Sequence, residues 1–276
     1  MMKQQSLKKL ISHAEMRERM NGLIDIHCHI LPGVDDGAET ELDSLQMAEA
    51  AVEEGIHTII ATPHHKNGRY ENDKQTIKKN VSNFNKLLDQ NNLPLTVLAG
   101  QETRLNGEMT DDIANGELLP LNETKYVFVE FPTGHIPHYA KRVLFDMQMA
   151  AYKPIIVHPE RNRTLMKHPN LLYDFVRSGA LTQVTAASYV GKFGKNVQKR
   201  SQQFMEANLV HFIASDAHNT TTRRFSMKEA CQQIERDFGY EERRLLIENS
   251  QLLVEGKNIH IFEPKKIKPK AFFGLF

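Results

Sequence analysis

Seven stretches of this chain have the apolar, β-branched composition of strands, and six of them end in residues of types that can bind metal ions or phosphate. In chain order these ends carry His27 and His29, Thr62-Pro63-His64, Gly100-Gln101-Glu102, Glu130, His158 and Ser215-Asp216-Ala217-His218. In a barrel of alternating strands and helices, active sites are built from the carboxyl ends of the strands. The sequence therefore predicts a multinuclear metal centre at one mouth of an α/β fold.

Amphipathic segments separate the predicted strands, which cover residues 23–26, 57–61, 95–99, 126–129, 153–157, 181–186 and 209–214. After the first strand, apolar residues between Leu42 and Val52 recur at helical spacing, and Gly55 ends that helix. Later helices are predicted over 74–88, 139–151, 170–178, 196–207, 226–238 and 241–254. Strands that alternate with helices imply parallel pairing through right-handed crossovers. The predicted architecture is a distorted, TIM-like (β/α)7 barrel.

Composition excludes several classes of protein. A formal net charge of +1 gives no reason to expect nucleic acid as a partner. Cys28 and Cys231 are too few for a disulfide framework, which favours a reducing cytoplasm. No apolar run reaches the roughly 18 residues of a membrane span. Residues 1–22 lack the continuous apolar core of a secretory signal peptide.

The segment His27-Cys28-His29 shows how spacing carries chemistry. Side chains two residues apart on a strand share a face, so both histidines can bind one ion while Cys28 points to the opposite side. Cys28 is therefore interpreted as a small buried hydrophobic residue. One such pair is weak evidence for a metal site. Carboxylates and imidazoles at five further strand ends make the metal interpretation strong.

The residues alone leave several roles open. His65 directly follows His64 and could exchange roles with it. Asp35 and Asp36 precede a glycine, and an ordinary Asp-Asp-Gly turn is the simplest interpretation of them. Glu160 is interpreted as an orienting or surface carboxylate. Structural roles are expected for His57 and His211, which stand at the amino ends of their strands.

Seven motifs together resemble one known family. They are IDIHCHILP at 24–32, DDGA at 35–38, ATPHH at 61–65, GQE at 100–102, VEFP at 129–132, HPERN at 158–162 and ASDAH at 214–218. This combination is similar to the polymerase-and-histidinol-phosphatase (PHP) superfamily, in its branch of manganese-dependent bacterial protein-tyrosine phosphatases encoded with capsule and exopolysaccharide genes. The resemblance implies a PHP barrel over 23–262 and a basic-aromatic tail over 263–276. The extension 1–22 departs from it, because related chains usually begin near Leu23.

The resemblance also implies a trinuclear centre that binds Mn²⁺. The first ion would be held by His27, His29, Glu102 and Asp216, the second by the bridging Glu102 with Glu130 and His158, and the third by Asp36, His64 and His218. The assignment of Asp36 rests on this branch, since many other PHP proteins have a histidine there. Nitrogen and oxygen ligands without thiolate suit manganese, iron or zinc, so the choice of manganese comes from the family.

The chemistry follows from the charge of a phosphomonoester, which repels an attacking hydroxide. Metal coordination lowers the pKa of water and offsets that charge, so no protein nucleophile is required. Arg161 and Arg223 follow His158 and His218 closely enough to bind the phosphoryl oxygens, and the resemblance supports both as substrate-binding or transition-state groups. A cysteine phosphatase is excluded, because no arginine lies six residues after either cysteine.

The expected substrate is phosphotyrosine on a bacterial tyrosine kinase that regulates polysaccharide export or assembly. Such a kinase is expected to be membrane-associated, which would bring the phosphatase transiently close to a membrane without a transmembrane segment. Two alternatives remain open. One is a small-molecule phosphatase, for example one acting on histidinol phosphate, and the other is a PHP module that binds metal without turnover.

Overall fold

A computed structural model describes residues 22–268 of the chain. Its strands are β1 (Leu23–Cys28), β2 (Ile56–Ala61), β3 (His64–His65), β4 (Thr96–Ala99), β5 (Glu102–Arg104), β6 (Tyr126–Glu130), β7 (Lys153–Val157), β8 (Leu181–Thr185) and β9 (Phe212–Ala214). Its α-helices are α1 (Glu41–Glu53), α2 (Lys74–Gln90), α3 (Met109–Ala114), α4 (Ala140–Met149), α5 (Arg163–Lys167), α6 (Asn170–Arg177), α7 (Ala186–Tyr189), α8 (Lys195–Glu206), α9 (Met227–Phe238) and α10 (Tyr240–Val254). Residues 1–21 and 269–276, which include nearly all of the predicted extension and much of the predicted tail, lie outside the described residues.

All strand pairs are parallel, as the alternation of strands and helices predicts. One sheet has the order β1-β2-β4 and the other has the order β3-β5-β6-β7-β8-β9. Backbone hydrogen bonds also link the segment after β9 to β1: the Asp216 N–H donates to the His27 carbonyl at 2.8 Å, and the His29 N–H donates to the Ala217 carbonyl at 2.9 Å. The carboxyl ends of the strands therefore meet around the region where the sequence places the metal centre.

The short strands β3 and β5 follow the strands predicted over 57–61 and 95–99, and neither was predicted as a separate strand. Between β2 and β3, Pro63 has no N–H to donate to a ladder. Between β4 and β5, Gly100 allows a close approach of neighbouring side chains, because a Cβ there would lie 2.6 Å from Ile60 Cγ2 and 2.8 Å from Leu121 Cδ2. Each break between strands comes just before a predicted ligand, because His64 begins β3 and Glu102 begins β5.

Two other predicted strands are shorter in the structure. The strand predicted over 209–214 is limited to Phe212–Ala214, because the Leu209 N–H still donates to the Phe204 carbonyl at the end of α8. The strand predicted over 181–186 ends at Thr185, because Ala186 begins α7. Each predicted helix is present with small shifts at its ends, whereas the short helices α3, α5 and α7 were not predicted.

Helix α2 illustrates why the longer helices form where the sequence predicts them. Asp73 caps its start by accepting hydrogen bonds from the N–H groups of Gln75 and Thr76. Its buried residues recur every three or four positions and are Ile77, Val81, Phe84 and Leu88. Burial of this one face fixes the helix against the sheet, and β4 is its main neighbour.

Strand β6 shows how the core is divided between two apolar clusters. Tyr126 and Phe128 belong to a smaller cluster, whereas Val127 and Val129 belong to the larger one that also contains the helix faces. This alternation follows from the two-residue period of a strand. Glu130 follows Phe128 by two residues, so it projects on the side of the smaller cluster. No helix within residues 22–268 is both long and apolar enough to span a membrane.

His211 should make the stability of the fold depend on pH. Burial lowers the pKa of His211 from 6.5 to about 4, and its Nδ1 accepts a hydrogen bond from the Thr182 N–H at 3.1 Å. Between these two pH values the unfolded chain binds a proton that the folded chain does not, so stability is complete above pH 6.5 and falls as the pH drops. Through His211, the free energy of unfolding of the wild type should fall by about 2 kcal/mol between pH 7 and pH 5. We expect His211→Gln to abolish this part of the fall. Urea unfolding of both proteins at the two pH values measures this difference, and equal losses would contradict it.

Candidate metal centre

The predicted ligands come together at the carboxyl ends of the strands. Three overlapping groups have one potential ligand atom per residue, with all atoms of a group within 4.8 Å of one another. The groups are His29, Asp36, His64 and His218; His27, His29 and Asp216; and His64, Glu102 and Glu130. His158 stands outside these groups but contacts the centre through Glu102, with 2.7 Å between His158 Nε2 and Glu102 Oε1.

His27 and His29 turn the same ring nitrogen toward each other. Their Nε2 atoms are 3.3 Å apart. The Nδ1 atom of His27 lies 2.9 Å from Gln183 Oε1, and that of His29 lies 2.6 Å from Asp35 Oδ2. Because both oxygens are acceptors, each Nδ1 carries the hydrogen, and in the neutral ring each Nε2 presents a lone pair. Two facing lone pairs repel each other unless a cation lies between them.

His218 has the same arrangement. Its Nδ1–H donates to the Asp216 backbone carbonyl at 3.0 Å, which leaves Nε2 with the lone pair. That Nε2 atom is buried without a hydrogen-bond partner, as are His64 Nδ1 and Glu102 Oε2. The last two atoms lie 2.9 Å apart but lack hydrogen-bond geometry. Buried polar atoms are rarely left unpaired, so these orphaned atoms fit direct coordination of metal ions.

Two arginines contact the carboxylate of Asp216. Arg161 Nη2 donates to Asp216 Oδ2, and Arg223 Nη2 lies 3.2 Å from each of the two carboxylate oxygens. Arg223 Nη1 also lies 3.8 Å from Asp36 Oδ2. The structure therefore places both arginines that the sequence singles out beside the ligand cluster.

Glu130 is held by an arginine that the sequence reasoning did not identify. Arg104 Nε lies 2.9 Å from Glu130 Oε2, and Arg104 Nη2 lies 3.1 Å from Oε1. Burial and the neighbouring Glu102 raise the pKa of Glu130 to about 7, against the effect of the guanidinium. Arg104 follows Glu102 by two residues on β5, so the period of the strand was the available signal.

The centre concentrates negative charge in a buried place. Burial opposes ionisation of Glu102 and Asp216, yet the imidazoles and guanidinium groups around them hold both pKa values well below the usual range. Burial lowers the pKa of His158 and of His218 to about 4, whereas at His29 and His64 the nearby carboxylates outweigh burial and raise the pKa, to about 10 for His64. Neutral imidazoles and ionised carboxylates are the forms that bind metal ions.

Asp35 supports the candidate ligands His29 and His64, whereas the sequence predicts only a turn residue at this position. Besides His29, its carboxylate accepts hydrogen bonds from the Gly37 N–H at 2.9 Å and the His64 N–H at 3.1 Å. It therefore fixes the orientation of the His29 ring through Nδ1. Asp36 instead lies beside His64 and His218, and its Oδ1 is 3.3 Å and 3.5 Å from their Nε2 atoms. The backbone at Gly37 passes so close to His29 that a Cβ would lie 2.1 Å from the His29 carbonyl oxygen.

Several other predicted residues lie away from the cluster. His65 is buried and accepts a hydrogen bond at Nδ1 from the Asn72 N–H. Cys28 is fully buried, with Sγ 3.6 Å from the Ala217 carbonyl oxygen. Glu160 is also fully buried and accepts a hydrogen bond from the Thr185 N–H, so it is an orienting carboxylate rather than a surface one.

Two aromatic side chains flank the centre. The ring of Tyr70 stacks on His64 with 6.2 Å between centroids, and the ring of Phe193 lies 5.3 Å from the guanidinium carbon of Arg161. Both come from irregular segments, where periodicity gives no signal. Gln183 was also missed, although a polar residue inside a buried strand is a recognisable sign of a partner.

Comparisons with known proteins agree with this geometry. Residues 23–255 match the family described as capsular polysaccharide synthesis, CpsB/CapC. The chain is 48% identical to tyrosine-protein phosphatase YwqE of Bacillus subtilis over 254 residues, which cover 92% of this chain and 100% of YwqE. A crystal structure from a study of YwqE and of CpsB from Streptococcus pneumoniae, described as unique metal-dependent tyrosine phosphatases, superimposes with a TM-score of 0.88 at 48% identity, covering 90% of this chain and 100% of that one.

A more distant structure shows the fold alone. The β-aspartyl dipeptidase of Fervidobacterium islandicum superimposes with a TM-score of 0.52 at 14% identity, over 86% of this chain and 74% of that one. The family resemblance predicted from the seven sequence motifs is confirmed by the match over 23–255. The chain belongs to the CpsB/CapC family of capsular polysaccharide synthesis.

Proposed function

We propose that this protein is a metal-dependent protein-tyrosine phosphatase that hydrolyses phosphotyrosine on a bacterial tyrosine kinase and so regulates capsule or exopolysaccharide synthesis. The observation that carries the proposal is the cluster of imidazoles and carboxylates at the strand ends, in which buried ligand atoms have no hydrogen-bond partner. Similarity to YwqE supports the choice of phosphotyrosine. The capsular polysaccharide synthesis family supports a kinase of the same process as substrate.

The proposed scaffold is one distorted barrel of seven βα units over residues 23–262. The hydrogen bonds between Asp216 and His27, and between His29 and Ala217, support continuity between the two sheets. The proposed location is the cytoplasm, where an exposed tyrosine kinase domain and reduced cysteines are both expected.

The three groups of candidate ligands suit three divalent ions, and we propose Mn²⁺ for them. The proposed ligand sets are His27, His29, Glu102 and Asp216; Glu102, Glu130 and His158; and Asp36, His64 and His218. When bound, such ions would lower the pKa of a water molecule and offset the charge of the phosphoryl group. Asp35 and Gln183 would hold the inner histidines in the tautomer that presents Nε2 to the metal.

Arg161 and Arg223 are proposed to bind the phosphoryl oxygens. Both guanidinium groups already face the centre through Asp216, and Arg161 Nε is buried without a hydrogen-bond partner. A phosphate dianion would provide that partner, and it would contact a planar donor group that matches its oxygens. The arginines would then stabilise charge that redistributes during transfer.

Phosphotyrosine should be hydrolysed faster than phosphoserine. The leaving phenolate has a conjugate-acid pKa of about 10, far below that of an alkanol, so its departure depends less on a general acid. We expect kcat/KM for a phosphotyrosine peptide to exceed that for the matched phosphoserine peptide by at least about a hundredfold, a range typical of one general acid–base contribution. Phosphate release from the two peptides with the manganese-loaded enzyme measures this ratio.

Histidinol phosphate is the control substrate for the small-molecule alternative. Faster turnover of histidinol phosphate or phosphoserine under the same conditions would contradict the phosphotyrosine assignment. Absence of any phosphatase activity at full metal occupancy would instead support a metal-binding module without turnover.

A further inference from the structure

A groove of about 580 Å³ lies between α5, α8 and the segment that ends the described chain. Four of the residues that line it are cations, namely Lys167, Lys199, Arg200 and Lys268. None of its lining residues within 22–268 is acidic. We name this groove, defined by these four residues, the basic groove. No carboxylate among these lining residues offsets the positive charge of the basic groove.

Arg200 lies in the basic groove without an acidic partner. Its Nη2 donates to the Met166 carbonyl at 2.7 Å, and its Nη1 donates to Gln203 Oε1 at 2.9 Å. Its Nε is buried without a hydrogen-bond partner, and no carboxylate within residues 22–268 forms an ion pair with it. Burial lowers the pKa of Arg200, as expected for a cation that has lost water without gaining a counter-charge. A bound anion would offset this cost.

The segment that ends the described chain forms the third wall of the groove, and hydrogen bonds hold it in place. Asn170 Nδ2 donates to the Ile267 carbonyl at 3.2 Å, and the Ile267 N–H donates to Asn170 Oδ1 at 2.8 Å. The Lys265 N–H also donates to the Ala207 carbonyl at the end of α8. The groove is therefore largely formed before any ligand binds, which reduces the ordering cost of binding.

Two short segments of chain connect the basic groove to the candidate metal centre. Helix α5 begins two residues after Arg161, and Phe193, which contacts the Arg161 guanidinium, precedes α8 by two residues. Lys167 lies six positions after Arg161, and two extended steps of about 3.3 Å followed by four helical rises of about 1.5 Å give a separation of at most about 13 Å along this path. An extended peptide covers about 3.3 Å per residue, so a chain whose phosphotyrosine is in the centre reaches the groove within about three to six residues.

We propose that the basic groove binds an acidic segment of the protein substrate and so selects phosphotyrosines that have carboxylate side chains about three to six residues away. This proposal rests on the phosphotyrosine activity proposed above. A concave groove with recessed amide and guanidinium donors fits an extended chain, whereas a flat anionic membrane would contact outward-facing lysines only. The geometry therefore favours a peptide over a lipid surface.

The test compares two phosphotyrosine peptides that differ only in acidic or neutral residues at these positions. For the double variant Lys167→Glu with Lys199→Glu, attraction becomes repulsion, so we expect KM for the acidic peptide to rise about tenfold or more. Its kcat should stay unchanged, as should KM for the neutral peptide and the hydrolysis of p-nitrophenyl phosphate. Arg200 is left intact, because its contact with Met166 joins α8 to α5.

The matched control is the double variant Lys79→Glu with Lys86→Glu, which makes the same charge change on exposed positions of α2. It should leave KM for the acidic peptide near the wild-type value. Equal rises in the two double variants, or equal KM values of the wild type for the acidic and neutral peptides, would overturn the proposal. Loss of binding to vesicles of phosphatidylserine and phosphatidylcholine, with peptide KM unchanged, would overturn it in favour of a membrane.

Failure of the phosphatase assignment gives a different result. In that case the wild type would not hydrolyse either phosphotyrosine peptide. Binding of the acidic peptide, followed by fluorescence anisotropy, would then test the groove directly. Tighter binding by the wild type than by the Lys167→Glu, Lys199→Glu variant would support the groove, and equal binding would overturn it.

Discussion

Replacement of Glu102 by alanine should lower kcat/KM on a phosphotyrosine peptide by at least about a thousandfold, equivalent to about 4 kcal/mol of lost transition-state stabilisation. Its Oε2 lies 3.4 Å from the Nε2 atoms of both His27 and His29, and its Oε1 contacts His158. A carboxylate at this position can join two metal ions, so its removal should lower the bound metal as well as the rate. Steady-state kinetics and metal analysis of the purified variant measure both effects.

His65→Ala is the control for this experiment. His65 is also buried and adjacent in the chain to His64, but its Nδ1 bonds to the Asn72 backbone rather than to the cluster. It should keep its metal and most of its activity.

Chelation should abolish activity in the wild type, and Mn²⁺ should restore it better than Mg²⁺, which prefers oxygen ligands. Equal losses in the two variants, or full activity after verified removal of transition metals, would contradict the proposed centre.

The residues of the candidate site were predictable because parallel strands bring their carboxyl ends together. His27, His29, Glu130 and His158 lie at or next to the carboxyl ends of their strands, whereas Glu102 begins β5, three residues past the end of β4. The rule needs only the order of strands and helices, which periodicity supplies. It does not need the exact ends of elements, and these were less accurate, as the short β9 and the unpredicted strands β3 and β5 show.

The partners of these residues were harder to predict, because they come from contacts between distant parts of the chain. Gln183 contacts His27 across 156 positions, and Arg161 contacts Asp216 across 55. No spacing in the sequence encodes such pairs. Asp35 was misjudged for a different reason: its turn geometry is real, since it accepts a hydrogen bond from Gly37, but the second carboxylate oxygen bonds to His29.

Arg161→Lys should separate a catalytic role of the guanidinium from a structural one. Lysine keeps the positive charge but loses the planar pair of donors that matches a phosphoryl group. We expect turnover on a phosphotyrosine peptide to fall by roughly tenfold to a thousandfold, or about 1.4–4 kcal/mol. Metal content should stay unchanged, because arginine is not a ligand. Arg163→Lys, on the exposed first residue of α5, is the matched control and should keep wild-type turnover.

Arg161 contacts Asp216, a proposed metal ligand, so the Arg161→Lys variant has three possible results, and each assigns a different role to the guanidinium. A lower turnover with intact metal would place the guanidinium on the substrate, where the unpaired Nε is free to donate. Loss of metal would mean that Arg161 instead holds Asp216 in position, since burial opposes the charge of that carboxylate and Arg161 favours it. Unchanged turnover with intact metal would assign the phosphoryl contacts to Arg223, which shares the same carboxylate at 3.2 Å.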